Sequence, residues 1–227
     1  MQPYLFPYIG YFQLINAVDK FVLLDDVAYI NKGWINRNRI LVNGNEFTFT
    51  IPLKDASQNK LIKDVYLADD AKWREKLLKT LEMSYKKAPF AEQIMPLIAG
   101  VVNLKAGKIT EMITYSLEVI MKYLGIATEL IKSSADYNIL DLKAEARILA
   151  ICRAARATHY INLIGGKELY SVESFAAANI KLSFLRASLD SYEQKASTFV
   201  PGLSIIDVLM WNSPERIRKF LLNYSLE

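Results

Sequence analysis

The chain has 227 residues, 52% of them hydrophobic and 23% charged, which suits a packed globular protein and excludes disorder as its main character. Its 28 basic and 24 acidic residues are interspersed and leave a net charge of +4, so no block of like charge marks a nucleic-acid arm. A single cysteine, Cys152, and a single histidine, His159, exclude an internal disulfide framework and leave few soft ligands for a structural zinc.

In chain order, the uncharged opening MQPYLFPYIGYFQLI comes first. Free termini are ordinarily polar and frayed, so an apolar, turn-rich opening is expected to be packed in place. Phe12, Ile15 and Val18 recur at helical spacing and predict a short helix over YFQLINAV. Asp19 to Val27 then predicts a buried strand closed by two acidic residues. Turn, helix and strand form the second half of a crossover unit, and its first strand belongs ahead of Gln2. Two expectations remain open, a start that lies a few residues late, which is favoured, and a domain that manages without that strand. Asn43-Gly44 between alternating runs predicts a hairpin, and LIKDVYL predicts a further strand. DDAKWREKLLKTLEMSYKKA, acidic at its start and basic at its end, predicts a helix. Helical stretches over Glu92 to Val102 and Lys108 to Leu124 follow, the second stopped by Gly125.

From Ala127 the pattern alternates: strand ATELIKSS, helix DLKAEARILAICRAA, strand HYINLI, a Gly-Gly turn, helix SVESFAAAN and strand IKLSFL. SPERIRKFLLN closes the chain as a helix, with an N-cap Ser213 and Pro214 in its first turn. Strands alternating with helices predict an α/β fold: a three-layer, Rossmann-like (HUP-like), mostly parallel sheet. One domain over residues 1–227 is expected, with a β-hairpin region at 36–67 and a helical insertion at about 70–125. No apolar run approaches the ~20 residues of a membrane span, and the opening lacks the basic n-region of a signal peptide. A cytoplasmic protein with no membrane span is expected.

Several groups of residues point to chemistry. Gly10 permits close approach of backbone to a ligand, and the helical turn behind it offers free N–H groups to a phosphate; a hydrophobic plug over the sheet edge explains the stretch equally well. PYIGYFQLI partly resembles the corresponding segment of HUP-type nucleotidylyltransferases, with Tyr8 and Tyr11 where those enzymes carry histidines. Asp25 and Asp26 point to opposite faces of a strand, so they are not a shared-proton dyad. One of them can serve as a base or bind Mg²⁺ or a sugar hydroxyl, and the alternative is a solubilising acidic turn. NKGWINRNRI gathers Lys32, Trp34, Asn36, Arg37, Asn38 and Arg39, forked donors and a large ring that suit a phosphate joined to a sugar or base. A solvated loop around a buried tryptophan is the alternative. Gly165-Gly166-Lys167, with Tyr170 beyond, forms a second glycine turn that an anion could occupy, though it lacks P-loop spacing. His159 is expected to be satisfied by backbone, and Cys152 to lie in the core.

Three stretches, QPYLFPYIGYFQLINAVDKFVLLDDVAYINKGWINRNRI, YINLIGGKELY and FVPGLSIIDVLMWN, together resemble the WbqC-like protein family over nearly the whole chain. The resemblance carries over Gln2, Pro3, Tyr4, Pro7, Gly10 and Tyr11, then Asp25, Asp26, Lys32, Trp34, Asn36, Arg37 and Asn38, and finally Gly166, Tyr170, Ser204 and Asp207. It departs at Tyr8, where the family has Trp, at Ala28, and at the loop from Leu163 to Gly166. It implies an enzyme of surface polysaccharide, especially O-antigen, assembly. The function expected is a transferase acting on a nucleotide-linked sugar, with an amino sugar favoured. Its partner would be that small molecule, with no nucleic acid and with Mg²⁺ an open question. An ATP-dependent nucleotidyl-transferring enzyme or ligase, or a non-catalytic scaffold of the same machinery, are the alternatives.

Overall fold

The computed structural model describes residues 1–68, 70, 72–139 and 141–227. The opening is packed as expected: Leu5, Phe6, Tyr11 and Phe12 are fully buried. The first helix, α1 (Ile9–Asn16), is buried from Ile9 through Ile15, as suits a helix apolar nearly all round. Its one polar core residue, Gln13, solves a closure problem. From complete burial its amide donates to Ser188 O at 3.0 Å, Phe220 O at 2.8 Å and Asn223 O at 2.9 Å, tying the N-terminal helix to the C-terminal elements.

The chain continues through β1 (Lys20–Val22), β2 (Arg37–Val42), β3 (Asn45–Thr50), β4 (Leu53–Lys54), β5 (Tyr66–Leu67), α2 (Lys72–Tyr85), α3 (Ala91–Val102) and α4 (Ile109–Leu124). Then come β6 (Glu129–Ile131), α5 (Ala144–Ala154), β7 (His159–Leu163), α6 (Val172–Ala177), β8 (Lys181–Ala187), α7 (Ile205–Trp211), α8 (Pro214–Leu222) and β9 (Tyr224–Leu226). β2 and β3 form the predicted hairpin, with Asn43 and Gly44 both at positive φ, 53° and 81°, as a two-residue type I′ loop requires. α4 ends at Gly125 with φ 73°, the left-handed stop its sequence announces. Asp69 and Ala71, at the start of the helix expected there, lie outside the described residues.

The single three-layer, mostly parallel Rossmann-like sheet is corrected. Among the described residues there are four small sheets: β1 with β6 in parallel, β2 with β3, β4 with β5, and β7–β8–β9, in which β7 and β8 run parallel and β9 antiparallel. β1 and β7 are not bonded to each other. The strand expected over Asp19 to Val27 lasts only from Lys20 to Val22. Leu23 N still reaches Ile131 O at 3.0 Å, but Asp25 O and Val27 O turn away to accept from Lys63 N and Ile62 N. LIKDVYL is not one strand either. Its buried residues, Ile62, Val65 and Leu67, do not alternate, and a 3₁₀ turn at Ile62–Asp64 lets all three reach the core. The Gly-Gly turn is a 3₁₀ segment, Ile164–Leu169. One apolar core runs from Leu5 to Leu221 and takes side chains from α1 to α4 and from α7 and α8 alike. A smaller core of Ile148, Cys152, Phe175 and Ile180 lies under α5 and α6. No helix among the described residues is long and apolar enough to cross a membrane.

The nitrogen of Met1 is also bound into this frame. It donates to Val22 O at 2.9 Å, and burial pushes the pKa of its amino group down from the ordinary range of a chain terminus to about 5.

Two outcomes follow from these contacts. Gln13→Leu removes the side-chain donor from the Ser188, Phe220 and Asn223 carbonyls, the last two of which keep backbone donors, and is expected to cost ~1–3 kcal/mol in urea unfolding. The Met1 amine binds a proton more readily in the unfolded chain than in the folded one. Its contribution is therefore present at pH 8 and lost as pH falls from 8 toward 5. A chain beginning at Met1 should lose melting temperature across that window, and N-terminal acetylation should flatten the loss.

Candidate functional site: an aromatic cleft beside the opening loop

The site begins with a strained turn. Phe6 sits at φ 45°, a left-handed conformation that costs a bulky residue ~1 kcal/mol or more. Two buried side chains hold it there: Asn38 Nδ2 donates to Phe6 O at 2.7 Å, and Ser204 Oγ donates to the same oxygen at 2.8 Å. Backbone bonds finish the clamp, Leu5 N to Ile35 O at 3.2 Å, Ile205 N to Pro7 O at 2.9 Å and Ser204 N to Arg39 O at 2.8 Å. Held in this way, Tyr4, Pro7 and Tyr8 form one wall of a cleft of about 240 Å³, with Trp34, Asn38, Arg39 and Gly202 completing it.

Strand alternation sorts the residues of NRNRI. Asn36, Asn38 and Ile40 are buried, while Arg37 and Arg39 share the opposite, outer face of β2. The asparagines are therefore braces. Asn36 donates to Ile51 O at 2.7 Å and accepts from Tyr29 at 2.9 Å. The arginines gather at Trp34, their guanidinium carbons 5.3 Å and 5.6 Å from its ring centroid, within cation–π range. Trp34 is nonetheless 41% exposed. Arg37 spends its Nε on Gly33 O at 3.0 Å. Arg39 pairs with Glu46 at 2.6 Å and reaches Gly202 O at 3.3 Å, while its buried Nε has no partner. Burial raises the hydroxyl pKa of both Tyr4 and Tyr8, so the aromatic wall stays neutral.

The remaining sequence-nominated residues fall into three groups. Those of the opening support the wall from behind. Tyr11 is fully buried and donates to Gln2 O at 2.8 Å, and Gln2 Oε1 accepts from Tyr4 at 3.4 Å. Gly10 lies under the Tyr8 ring, where an added methyl carbon would come within 2.4 Å of it, so its bareness makes room for that ring.

The carboxylates form a second group, outside the cleft lining. Asp26 is ion-paired with Arg147 and accepts from Ser134, its side chain only 1% exposed. Asp25 accepts from Ser133 at 2.7 Å, and burial raises its pKa in spite of that bond. Together they pin the end of β1 to the turn after β6 and to α5. Lys32 is exposed at φ 59°, two residues ahead of Trp34.

The second glycine turn forms the third group, and the 240 Å³ cleft is lined by none of it. Gly165 is exposed, and Gly166 makes room for the Asn162 side chain, which would meet an added methyl at 2.6 Å. Lys167 lies 3.8 Å from Glu227, and Tyr170 packs on Tyr160 and Phe175. Asp207 is a buried hub, accepting from Tyr85 and Tyr192 at 2.8 Å each and from Gln194 at 3.1 Å, its pKa raised by burial. Among the described residues no cluster of three or more His, Cys, Asp or Glu side chains is placed to hold a metal ion.

Sequence reasoning named Arg39 among the donors of NKGWINRNRI and reached Pro7 through the resemblance, but left out Tyr8 and Gly202 as ligand contacts. Gly202 carried no signal, since only the folded chain brings the 201–204 turn against β2.

A model of the WbqC-like protein family matches residues 2–219. The chain is 30% identical over 206 residues to Uncharacterized protein Rv1507c of Mycobacterium tuberculosis (strain ATCC 25618 / H37Rv), covering 89% of this chain and 88% of that protein. No solved structure matches the chain.

Arg147→Met leaves the Asp26 carboxylate buried without its counter-ion and is expected to destabilise the protein by ~3–5 kcal/mol in denaturant unfolding. Arg37→Ala removes a half-buried fork and its bond to Gly33 O, and should cost ~0.5–1.5 kcal/mol.

Proposed function

The chain belongs to the WbqC-like protein family, and from that premise we propose that its aromatic cleft holds a nucleotide-linked sugar, an amino sugar foremost, for a cytoplasmic transfer step in bacterial surface polysaccharide (O-antigen) assembly. The observation that carries this reading is Trp34, a large ring left 41% exposed with two guanidiniums drawn up to it. A planar base or pyranose stacking on that ring completes its burial. A phosphate beside it meets the Arg37 and Arg39 forks, to which Lys32 adds a third positive charge from the same loop. The neutral phenols of Tyr4 and Tyr8 offer hydroxyl contacts to sugar oxygens from the facing wall.

In this reading the cleft binds and orients. A transfer to a sugar amine or hydroxyl also needs a group to take its proton. The geometry gives Asp25 and Asp26 no contact with the cleft, so here they position the loop that carries Lys32 and Trp34. The second glycine turn, Gly165 to Tyr170, has no part in this binding mode.

Calorimetric titration with UDP- and dTDP-linked amino sugars tests the reading. Saturable binding is expected, weakened ~10-fold or more by Trp34→Ala, and weakened by Arg37→Ala in a salt-dependent way. Saturable binding of ATP-Mg²⁺ in place of the sugar nucleotides would transfer the cleft to a ligase reading, and binding of neither would favour a scaffold.

A further inference from the structure

A second exposed ring stands apart from the Trp34 cleft, and the strand register accounts for its neighbours. Tyr66 of β5 lies opposite Lys54 of β4, and on its other side it forms an antiparallel bridge with Lys108, just ahead of α4. Leu67 N donates to Gly107 O at 2.9 Å and Ile109 N to Val65 O at 3.1 Å, closing that bridge. Side chains directly opposite one another in a ladder share a face, so Lys54, Tyr66 and Lys108 form a row across a three-stranded ribbon. Leu67, the next residue along β5, turns the other way into the core. Tyr66 stays 48% exposed, with Lys108 Nζ 5.7 Å from its ring centroid.

The row borders a cavity of about 460 Å³ between the ribbon and the first turn of α2, to which Lys54, Lys60, Tyr66 and Arg74 contribute. Arg74 is fixed in place: its guanidinium carbon lies 4.4 Å from the Trp73 ring centroid, and it donates to Val102 O. The backbone holds Lys60, whose N donates to Ser57 O at 3.1 Å and whose O accepts from Tyr29 N at 2.9 Å. Among the described residues, Asp55 is the one carboxylate of the lining, and Lys54, Lys60 and Arg74 are in no ion pair. Lys108 has Asp64 at 3.8 Å. The lining therefore carries an excess of two positive charges beside an open aromatic face. Cations gathered in a concavity repel one another and draw an anion.

We propose that this cavity is a second ligand site, for a phosphate monoester that carries a ring, with the phosphate among Lys54, Lys60 and Arg74 and the ring on the face of Tyr66. A monoester carries about −1.5 to −2 charges at pH 7, which matches the excess. Arg74 supplies a fork to the phosphate oxygens and the lysines supply point charges. A sugar nucleotide, with both phosphates esterified, lacks that terminal dianion, so this site and the Trp34 cleft select different molecules. The proposal rests on the ribbon and its cations, and it stands whether or not the cleft binds a sugar nucleotide.

The test is ¹H–¹⁵N shift mapping of the full chain with inorganic phosphate, glucose 1-phosphate and uridine monophosphate. Both esters are expected to move the amides of Lys54, Tyr66 and Gly107 saturably, in Trp34→Ala as in the unchanged chain. The Lys54→Gln, Lys60→Gln double variant is expected to weaken that binding ~10-fold or more. Lys54 is exposed and Lys60 partly so, and an unchanged melting temperature checks that the variant is folded. Inorganic phosphate is expected to bind more weakly than the esters, and Tyr66→Ala to bring the esters down to its level. Tighter binding of glucose 1-phosphate makes the ring on Tyr66 a sugar, and tighter binding of uridine monophosphate makes it a base. No saturable shift at these amides, or an affinity unchanged in the double variant, would overturn the proposal. Equal affinity for phosphate and for both esters would overturn the part assigned to Tyr66.

Discussion

The carbonyl oxygen of Phe6 is the point on which the architecture of the site depends. Phe6 is held at a positive φ that its side chain does not favour, and Asn38 and Ser204 hold it there from two distant parts of the chain. Because one oxygen receives both donors, β2 and the start of α7 are located against the same turn. That turn sends Tyr4, Pro7 and Tyr8 to one side, where they wall the cleft, and Leu5, Phe6 and Ile9 to the other, where they enter the core. Buried polar side chains are expensive unless satisfied, and here the satisfaction is what specifies the geometry. Gln13 does the same work one turn later, joining α1 to the ends of β8 and α8.

The same economy explains the mixture of residues in NRNRI. On a strand, neighbours face opposite ways, so the asparagines brace the interior while the arginines project toward Trp34. Arg39 is matched by Glu46 and Arg37 bonds Gly33 O, and their guanidiniums beside one exposed ring suit a site that receives an anion carrying a flat group. The carboxylates follow a different logic. Asp26 is matched by Arg147 in a buried pair, and such pairs specify a packing more than they stabilise it. Its place is at the junction of β1, the turn after β6, and α5, away from the cleft lining.

Much of this was legible in the sequence. Asn43-Gly44 announced its hairpin, Gly125 the end of α4, and Ser213-Pro214 the start of α8, because each is a local backbone requirement met by a local residue. The packed opening was legible from its lack of charge. The division of the parallel strands into two sheets was not, because pairing between strands far apart in sequence leaves no local mark. α7 escaped because IIDVLMW is a short apolar run whose pattern does not separate helix from strand. At the site, composition identified the Trp34 neighbourhood, but the roles of Asn36 and Asn38 required the inward face of β2 to be known. Gly10 and Gly166 looked like places for a ligand and turned out to make room for Tyr8 and Asn162, a use of glycine that only side-chain positions reveal.

The central claim is that Trp34 is the contact face for a sugar nucleotide. The chain has three tryptophans, and the indole nitrogens of Trp73 and Trp211 are buried without partners, whereas Trp34 stands exposed in the cleft wall. The most direct measurement is therefore the ¹⁵N–¹H spectrum of the three indole groups during titration with a UDP-linked amino sugar. The account predicts that the Trp34 resonance moves saturably while the other two stay in place. A titration in which Trp34 remains still, or in which all three move together, would contradict it.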